Sequence, residues 1–437
     1  MKYLLITFLL CFGLISCQKD KADERPNIIY IMVDDMGYAD LSITGRKTYS
    51  TPTLDAFAKE GMRFTQAYAA APVCTPTRVA FMTGRFPARN PIGLREPLVM
   101  DSTDIDLGLS PEIPTVSSLL KKSGYKTALF GKWHLGFKPE FFPLAHGFDY
   151  FYGISPGGAD YINHRYEGKD VLYENNKPVK EEGYMTDLIT DHVIDYIGKT
   201  QGPFFISLQY TAPHWPWQAP GDLAYPDSAK MSGGGSAETY GKMMLNLDQN
   251  IGKFLQAIEN AELKENTLII FTSDNGGERY SDMGSLKGHK LELWEGGIRV
   301  PAWVRWPGKI KPNSSTDQVA VTMDWTVTVL TAAKVKLDDN LKFDGINLLP
   351  VLVGENKSTD RNLYWRISNR KRWDAFRSGD WKYVKSPGSE GLYNLSKDIG
   401  ETTDLKEKEP GTFQRLKSDF ESLDKEMLAP YVFQKKK

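Results

Sequence analysis

The sequence predicts an α/β protein: a large domain with a mainly parallel central sheet flanked by helices, and a smaller C-terminal antiparallel sheet with a helix. Three observations predict it. Residues 27–33 and 268–272 are nearly continuous apolar runs, as expected of strands buried on both faces of a parallel sheet. Helix-like and strand-like segments alternate between them. After about Leu349 the texture changes to short amphipathic strands and then a charged helix.

The two apolar runs stop at Asp34-Asp35 and at Asp274-Asn275. Ligands bind at the carboxyl ends of parallel strands, so these two acidic clusters are expected to meet at one sheet edge. Thr51 and Pro52 open a capped helix that ends near Gly61. Residues 115–122 and 186–197 have helical spacing, and 127–130 and 204–208 read as further core strands. Residues 231–236 contain Gly233-Gly234-Gly235 and form either a lid or a plain connection. Residues 295–301 read as a turn leading into a strand at 302–304. Residues 375–377 and 381–384 are strands of the smaller sheet, and its helix starts near Gly411. The expected division is a principal domain at 27–349 and a subdomain at 350–437.

The chain has 437 residues, 41% hydrophobic and 12% aromatic, enough for a large core. Lys plus Arg (54) nearly balance Asp plus Glu (55), so no global field recruits nucleic acid or a membrane surface. An anionic ligand must be attracted locally. Lys2 precedes an apolar run over 3–15, too short for a membrane span, which leads into Leu14-Ile15-Ser16-Cys17. That ending resembles a bacterial lipobox. It implies removal of residues 1–16, lipidation of Cys17, and a tether over 17–26. The expected location is the periplasmic face of the outer membrane, or the cell surface, of a Gram-negative bacterium. An ordinary secretory signal peptide is the alternative.

Outside the export segment, which holds Cys11 and Cys17, the only cysteine is Cys74. Export therefore brings no disulfide framework. Cys74 opens the run Cys74-Thr75-Pro76-Thr77-Arg78, followed by Thr83-Gly84. Pro76 suits a first helical turn, and Arg78 lies one turn along on the same face. The thiol would then sit at a helix N-terminus beside a cation, which is an anion-binding position. The plain alternative is a buried apolar thiol. The pattern C-x-P-x-R followed by T-G resembles the signature of type I sulfatases, formylglycine-dependent enzymes of the alkaline phosphatase superfamily, in which this Cys is oxidised to formylglycine. The resemblance covers about 27–301, with a weaker echo at 379–382 and 392–395, and implies an alkaline phosphatase-like fold.

Asp34, Asp35, Asp274 and Asn275 are hard oxygen donors, and gathering them without a cation would cost several kcal/mol per desolvated carboxylate. Taken singly, either pair reads equally well as helix caps. By the resemblance these four, with the modified Cys74, are calcium ligands. Lys132 and His134, in Gly131-Lys132-Trp133-His134-Leu135-Gly136, match the residues that contact sulfate and the modified Cys. His214, in Ala212-Pro213-His214-Trp215-Pro216, matches the leaving-group histidine, and Lys290 the second sulfate-binding lysine, with Lys287 the other candidate. Arg78 completes the cationic set. The family often has a polar residue near Ser155-Pro156-Gly157-Gly158.

The function implied is hydrolysis of sulfate monoesters on extracellular sulfated glycans, with galactose or N-acetylgalactosamine sulfates favoured. Implied partners are the saccharide, a formylglycine-generating maturation enzyme and a lipid anchor, with no nucleic acid. Trp215 and Trp217 are candidates to stack on a sugar, or are core. Arg370 and Arg372, with Arg366 and Lys371, would meet further anionic groups, or form a solvated strand edge. One competing reading is a phosphomonoester or phosphodiester hydrolase of the same superfamily, against which stands the lack of a His-rich second metal site in the sequence. Another is a glycan-binding surface lipoprotein with a dead site, in which Cys74 stays unmodified.

Overall fold

The computed structural model describes residues 25–227, 231–355, 358–368 and 371–430. The expected signal peptide, Cys17, most of the tether and Arg370 lie outside the described residues. Asn27–Val33 lies inside a ten-stranded sheet, paired in parallel with Phe204–Gln209 on one side and Thr267–Ser273 on the other. All three strands are buried along their whole length, which is why their sequences are apolar without alternation. Lys126–Lys132 and Tyr150–Ile154 continue the parallel run, and Ala302–Arg305 pairs antiparallel with Thr267–Ser273.

Successive side chains of a strand point to opposite faces, so Asn27–Val33 feeds two cores. Ile29, Ile31 and Val33 pack with Leu54 and Phe57 of Pro52–Lys59, Ile189 and Val193 of Met185–Lys199, and Leu247 and Phe254 of Ala237–Asn260. Ile28, Tyr30 and Met32 pack with Val79 and Phe81 of Cys74–Thr83, Leu120 of Val116–Lys122, and Trp325 and Val329 of Thr322–Ala332. The helices expected at 51–58, 115–122 and 186–197 are present within a residue or two. Thr115 caps the second, accepting a hydrogen bond from Ser118 N–H.

Several elements depart from the sequence reading. Residues 295–301 begin with a one-turn helix, Glu295–Ile298, instead of a plain turn. Strand Tyr150–Ile154 and helices Ala237–Asn260 and Thr322–Ala332 carried no expectation. Thr322–Ala332 is rich in β-branched residues and nearly all buried, so neither propensity nor an amphipathic stripe marks it as helical. Residues 231–236 end in Ser236, whose side chain accepts from Thr239 N–H and caps the long helix. Among the described residues no helix is long and apolar enough to cross a membrane.

The C-terminal strands Asn362–Ile367, Trp373–Ser378, Trp381–Ser386 and Ser389–Asn394 form an antiparallel meander, on which Pro410–Asp424 lays Leu416 and Phe420. A buried charge network joins this sheet to the main body. Lys382 Nζ stands 2.8 Å from both Glu295 Oε1 and Glu401 Oε1. Glu401 Oε2 accepts from Glu295 N–H at 2.6 Å, while Arg299 Nη1 and Tyr68 Oη donate to Glu295 Oε2 at 3.0 and 2.7 Å. Burial alone pushes Glu295 up, but Lys382, Arg299 and Arg377 outweigh it and bring its pKa down to about 2. Burial dominates at Glu401, pushing it up to about 7 despite Lys382.

Candidate active site

The site forms where the parallel strands end. Asp34 follows Asn27–Val33 directly, and Asp35 takes a left-handed backbone (φ 64°), so the chain turns sharply and both carboxyls serve one place. Register pairs Val33 with Ser273, so Asp274 and Asn275 arrive beside them. Asp35 N–H donates to Asp274 Oδ1 at 3.2 Å, and Asn275 Nδ2 to Asp35 Oδ1 at 2.7 Å. All four residues are buried.

Three cations surround them. Lys132 Nζ, at the end of its strand, is 2.5 Å from Asp34 Oδ2. Arg78 Nη2 is 2.9 Å from Asp274 Oδ2 and 3.6 Å from Asp34 Oδ2, while its Nη1 donates to Lys132 O and Gln209 Oε1. Lys290 Nζ is 2.6 Å from Asp35 Oδ2. Burial pushes Asp274 up to about 6, with Asp34 adding to the rise and Arg78 opposing it. At Asp35 burial also raises, but Lys290, His214 and Lys132 prevail and hold it at about 2.

The two histidines face the cluster with fixed tautomers. His134 Nε2 lies 2.8 Å from Leu98 O and His214 Nδ1 2.5 Å from Trp215 O. A carbonyl only accepts, so these nitrogens carry the hydrogens and His134 Nδ1 and His214 Nε2 present lone pairs. His134 Nδ1 is buried without a partner, and His214 Nε2 is 3.7 Å from Asp35 Oδ2. Burial depresses both imidazoles well below the ordinary value, helped by Lys132 at His134 and by Lys290 at His214.

Cys74 is the first residue of its helix and is 2% exposed. It lines a cavity of about 390 Å³ together with His134, His214, Trp215, Glu278 and Lys290. Gly157 and Gly158 pack against the imidazoles: a Cβ on Gly157 would lie 2.7 Å from His134 Cε1, and one on Gly158 3.2 Å from His214 Nδ1. Room for two rings explains the tandem glycines, where the resemblance leads one to look for a polar side chain.

The donor set fits a hard divalent cation. Asp34 Oδ1 and Asn275 Oδ1 are buried oxygens with no hydrogen-bond partner. One atom each of Asp34, Asp35 and His214 lie within 4.8 Å of one another. An oxygen-rich cluster of this kind suits calcium or magnesium.

Asp34, Asp35, Cys74, Arg78, Lys132, His134, His214, Asp274, Asn275 and Lys290 therefore come together as expected. Lys287 does not join them: its Nζ sits 3.6 Å over the Trp294 ring and donates to Glu401 O. Trp215 lines the cavity, but Trp217 is 3% exposed and packed against Tyr280 and Arg279. Arg372 is engaged by Asp374 and Asp424, and the buried Arg366 by Asp424 and Leu428 O. A second cavity, of about 500 Å³, adjoins the first at His289, Lys290 and Leu291 and reaches Lys371 and Trp373 of the C-terminal sheet. Glu278 and His289 at these walls carried no sequence signal.

An acidic cluster sheathed in cations beside a cysteine-headed helix fits an anionic ester and a divalent metal. The family model described as Sulfatase matches residues 26–335, and the one described as N-sulphoglucosamine sulphohydrolase, C-terminal, matches 289–426. The chain belongs to the sulfatase family and is a sulfate ester hydrolase. N-acetylgalactosamine-6-sulfatase of Mus musculus is 32% identical over 375 residues, spanning 80% of this chain and 70% of that protein. Steryl-sulfatase of Homo sapiens is 30% identical, over 83% of this chain and 76% of its own. The crystal structure of Ps i-CgsB in complex with k-i-k-neocarrahexaose superposes with a TM-score of 0.84 at 29% identity, covering 94% of this chain and 95% of that one.

Proposed function

We propose that the protein removes sulfate from extracellular sulfated glycans, galactose or N-acetylgalactosamine sulfates foremost, with Cys74 matured to formylglycine. Calcium is held by Asp34, Asp35, Asp274, Asn275 and the modified residue 74. The observation that carries the reading is Cys74 heading a helix in a cavity walled by His134, His214 and Lys290. The glycan assignment draws on the N-acetylgalactosamine-6-sulfatase and the hexaose-bound neighbour, and on the second cavity as space for adjoining sugar units. The Leu14-Ile15-Ser16-Cys17 motif extends the proposal to an exported lipoprotein acylated at Cys17, matured by a formylglycine-generating enzyme.

When present, the hydrated aldehyde and calcium supply a nucleophilic hydroxyl and a Lewis acid for the sulfuryl oxygens. Lys132, Lys290 and Arg78 orient the anionic ester and screen its charge. Trp215 O fixes His214 Nδ1–H and leaves Nε2 facing the cavity; once Nε2 takes up a proton, which the anionic ester favours against the burial that depresses this imidazole, it delivers that proton to the departing sugar oxygen. An alkyl alkoxide leaves poorly, and general acid catalysis contributes about 10²–10⁴-fold. Leu98 O likewise fixes His134 Nε2–H and leaves Nδ1 to accept a proton when residue 74 releases sulfate.

Two measurements test this. A panel of sulfated saccharides scored for sulfate release should find turnover on galactose or N-acetylgalactosamine sulfates; release only from small aryl or choline-type esters would reject the glycan reading. His214→Ala should lower turnover of sugar sulfates by about 10²–10⁴-fold and that of an activated aryl sulfate far less. Equal loss on both would make His214 a positioning residue.

A further inference from the structure

The mechanism leaves one carboxyl on the cavity wall without a task. Glu278 follows Asp274-Asn275-Gly276-Gly277 and has its main chain fixed on both sides: its N–H donates to Ser281 Oγ at 3.2 Å, and its C=O accepts from Ser281 N–H at 2.8 Å. Ser281 Oγ is in turn 3.1 Å from Asp35 O, so the turn is tied to the acidic cluster. Glu278 lines the same cavity as Cys74, His134, His214 and Lys290. Its Oε2 is buried and has no hydrogen-bond partner.

The neighbouring cations are committed elsewhere. Lys290 is paired with Asp35, and Arg279 lies over Trp217 at 5.0 Å. A buried acceptor left unpaired is unfavourable, and no hydrogen bond among the described residues offsets it. The carboxyl is also the wrong partner for the sulfate, being an acceptor in a cavity whose work is to hold an anion. Its complement is a hydrogen-bond donor on an uncharged part of the substrate, and on a sugar that donor is a hydroxyl.

We propose that Glu278 determines specificity: its carboxyl accepts a hydrogen bond from a free hydroxyl of the sugar unit that bears the ester, selecting units sulfated once over units sulfated on the adjacent carbon as well. A second sulfate at that hydroxyl removes the donor and brings an anion against the carboxyl, so attraction and rejection act at one atom pair. Burial and then Asp35 push the Glu278 pKa up, with Lys290 opposing; an oxygen remains able to accept in either protonation state. The inference rests on the glycan reading above, which supplies the hydroxyl.

The test uses the matured, calcium-loaded enzyme at pH 8, with a sugar monosulfate it turns over, the same sugar carrying a second sulfate on the neighbouring carbon, and an activated aryl sulfate as reference. Sites that hydrogen-bond a substrate hydroxyl reject analogues lacking it by about 10⁴–10⁵-fold when fully enclosed, and a half-buried carboxyl should give about 10²-fold in kcat/KM. Glu278→Gln, which removes the charge and keeps the shape, should raise KM for the monosulfate more than it lowers kcat, and shrink the preference about tenfold or more. Glu278→Ala should shrink it further. An unchanged preference in both variants overturns the role of Glu278 while the glycan reading stands. Wild-type enzyme that hydrolyses the aryl ester and no saccharide overturns both.

Discussion

Asp274→Ala is expected to reduce sulfatase activity to near background while the protein remains folded. Asp274 occupies the meeting point of the site: its Oδ2 accepts from Arg78 and its Oδ1 from Asp35 N–H, and it is completely buried. Truncation takes one oxygen donor from the cation site and leaves Arg78 Nη2 with Asp34 at 3.6 Å as its remaining carboxylate. Loss of one preorganised electrostatic group costs about 10²–10³-fold, and loss of a proposed calcium ligand adds to it, so a drop beyond 10³-fold is expected. The strand that precedes Asp274 is held by its own apolar packing, so the circular dichroism spectrum should hardly change. The checks are kcat/KM and bound calcium by elemental mass spectrometry. Wild-type enzyme dialysed against chelator should lose activity in parallel and regain it with calcium; full activity after exhaustive chelation would reject the metal site.

Lys382→Met should be strongly destabilising although it lies outside the cavity. Lys382 and Glu295 are wholly buried, and Lys382 is the only side chain that contacts both Glu295 and Glu401 as an ion-pair partner among the described residues. Glu295 keeps Arg299, but Glu401 loses its cation, and removing one partner of a buried pair costs about 3–5 kcal/mol. Glu401 also holds Glu295 N–H, at the start of the short helix that follows Lys290, so the cavity wall should loosen with the network. The thermal midpoint measures the first effect and the KM for substrate the second. The pH dependence has two parts of opposite sign. Glu295 is depressed to about 2 from an ordinary 4.5, so its contribution is present above 4.5 and is lost as pH falls toward 2. Glu401 is raised to about 7, so its contribution is present below 4.5 and is lost as pH rises through 7. Glu401→Gln should therefore flatten the stability profile between about 4.5 and 7 and keep the loss in acid. A profile identical to wild type in that upper window would contradict the assignment.

The parts of the site legible in the sequence are those where a local pattern fixes a position in space. A strand buried on both faces has one reading, and its last residue must lie at the sheet edge, so Asp34 and Asp274 could be placed before any contact was known. Cys74, Lys132, His134, His214 and Lys290 stood out because short motifs followed or preceded such elements. Direction and pairing were not legible. Trp215 and Trp217 flank the same proline, yet one faces the cavity and the other the core, a difference set by the packing of Tyr280 and Arg279 from a distant loop. Arg372 looked available because its partner Asp424 lies 52 residues away on the terminal helix. Helix Thr322–Ala332 is buried on all sides, so the amphipathic signal that marks surface helices is missing. Glu278 sits in no motif, and only the cavity around it gives it meaning.

Activity is expected to depend on residue 74 being formylglycine. The most direct measurement is the mass of the peptide containing Cys74, taken from protein produced with and without a formylglycine-generating enzyme, alongside specific activity on a sulfate ester. The expected result is the aldehyde mass in active protein, with activity rising in proportion to the converted fraction and absent where the peptide carries only thiol. Fully active enzyme whose peptide retains an unmodified Cys74 would contradict it.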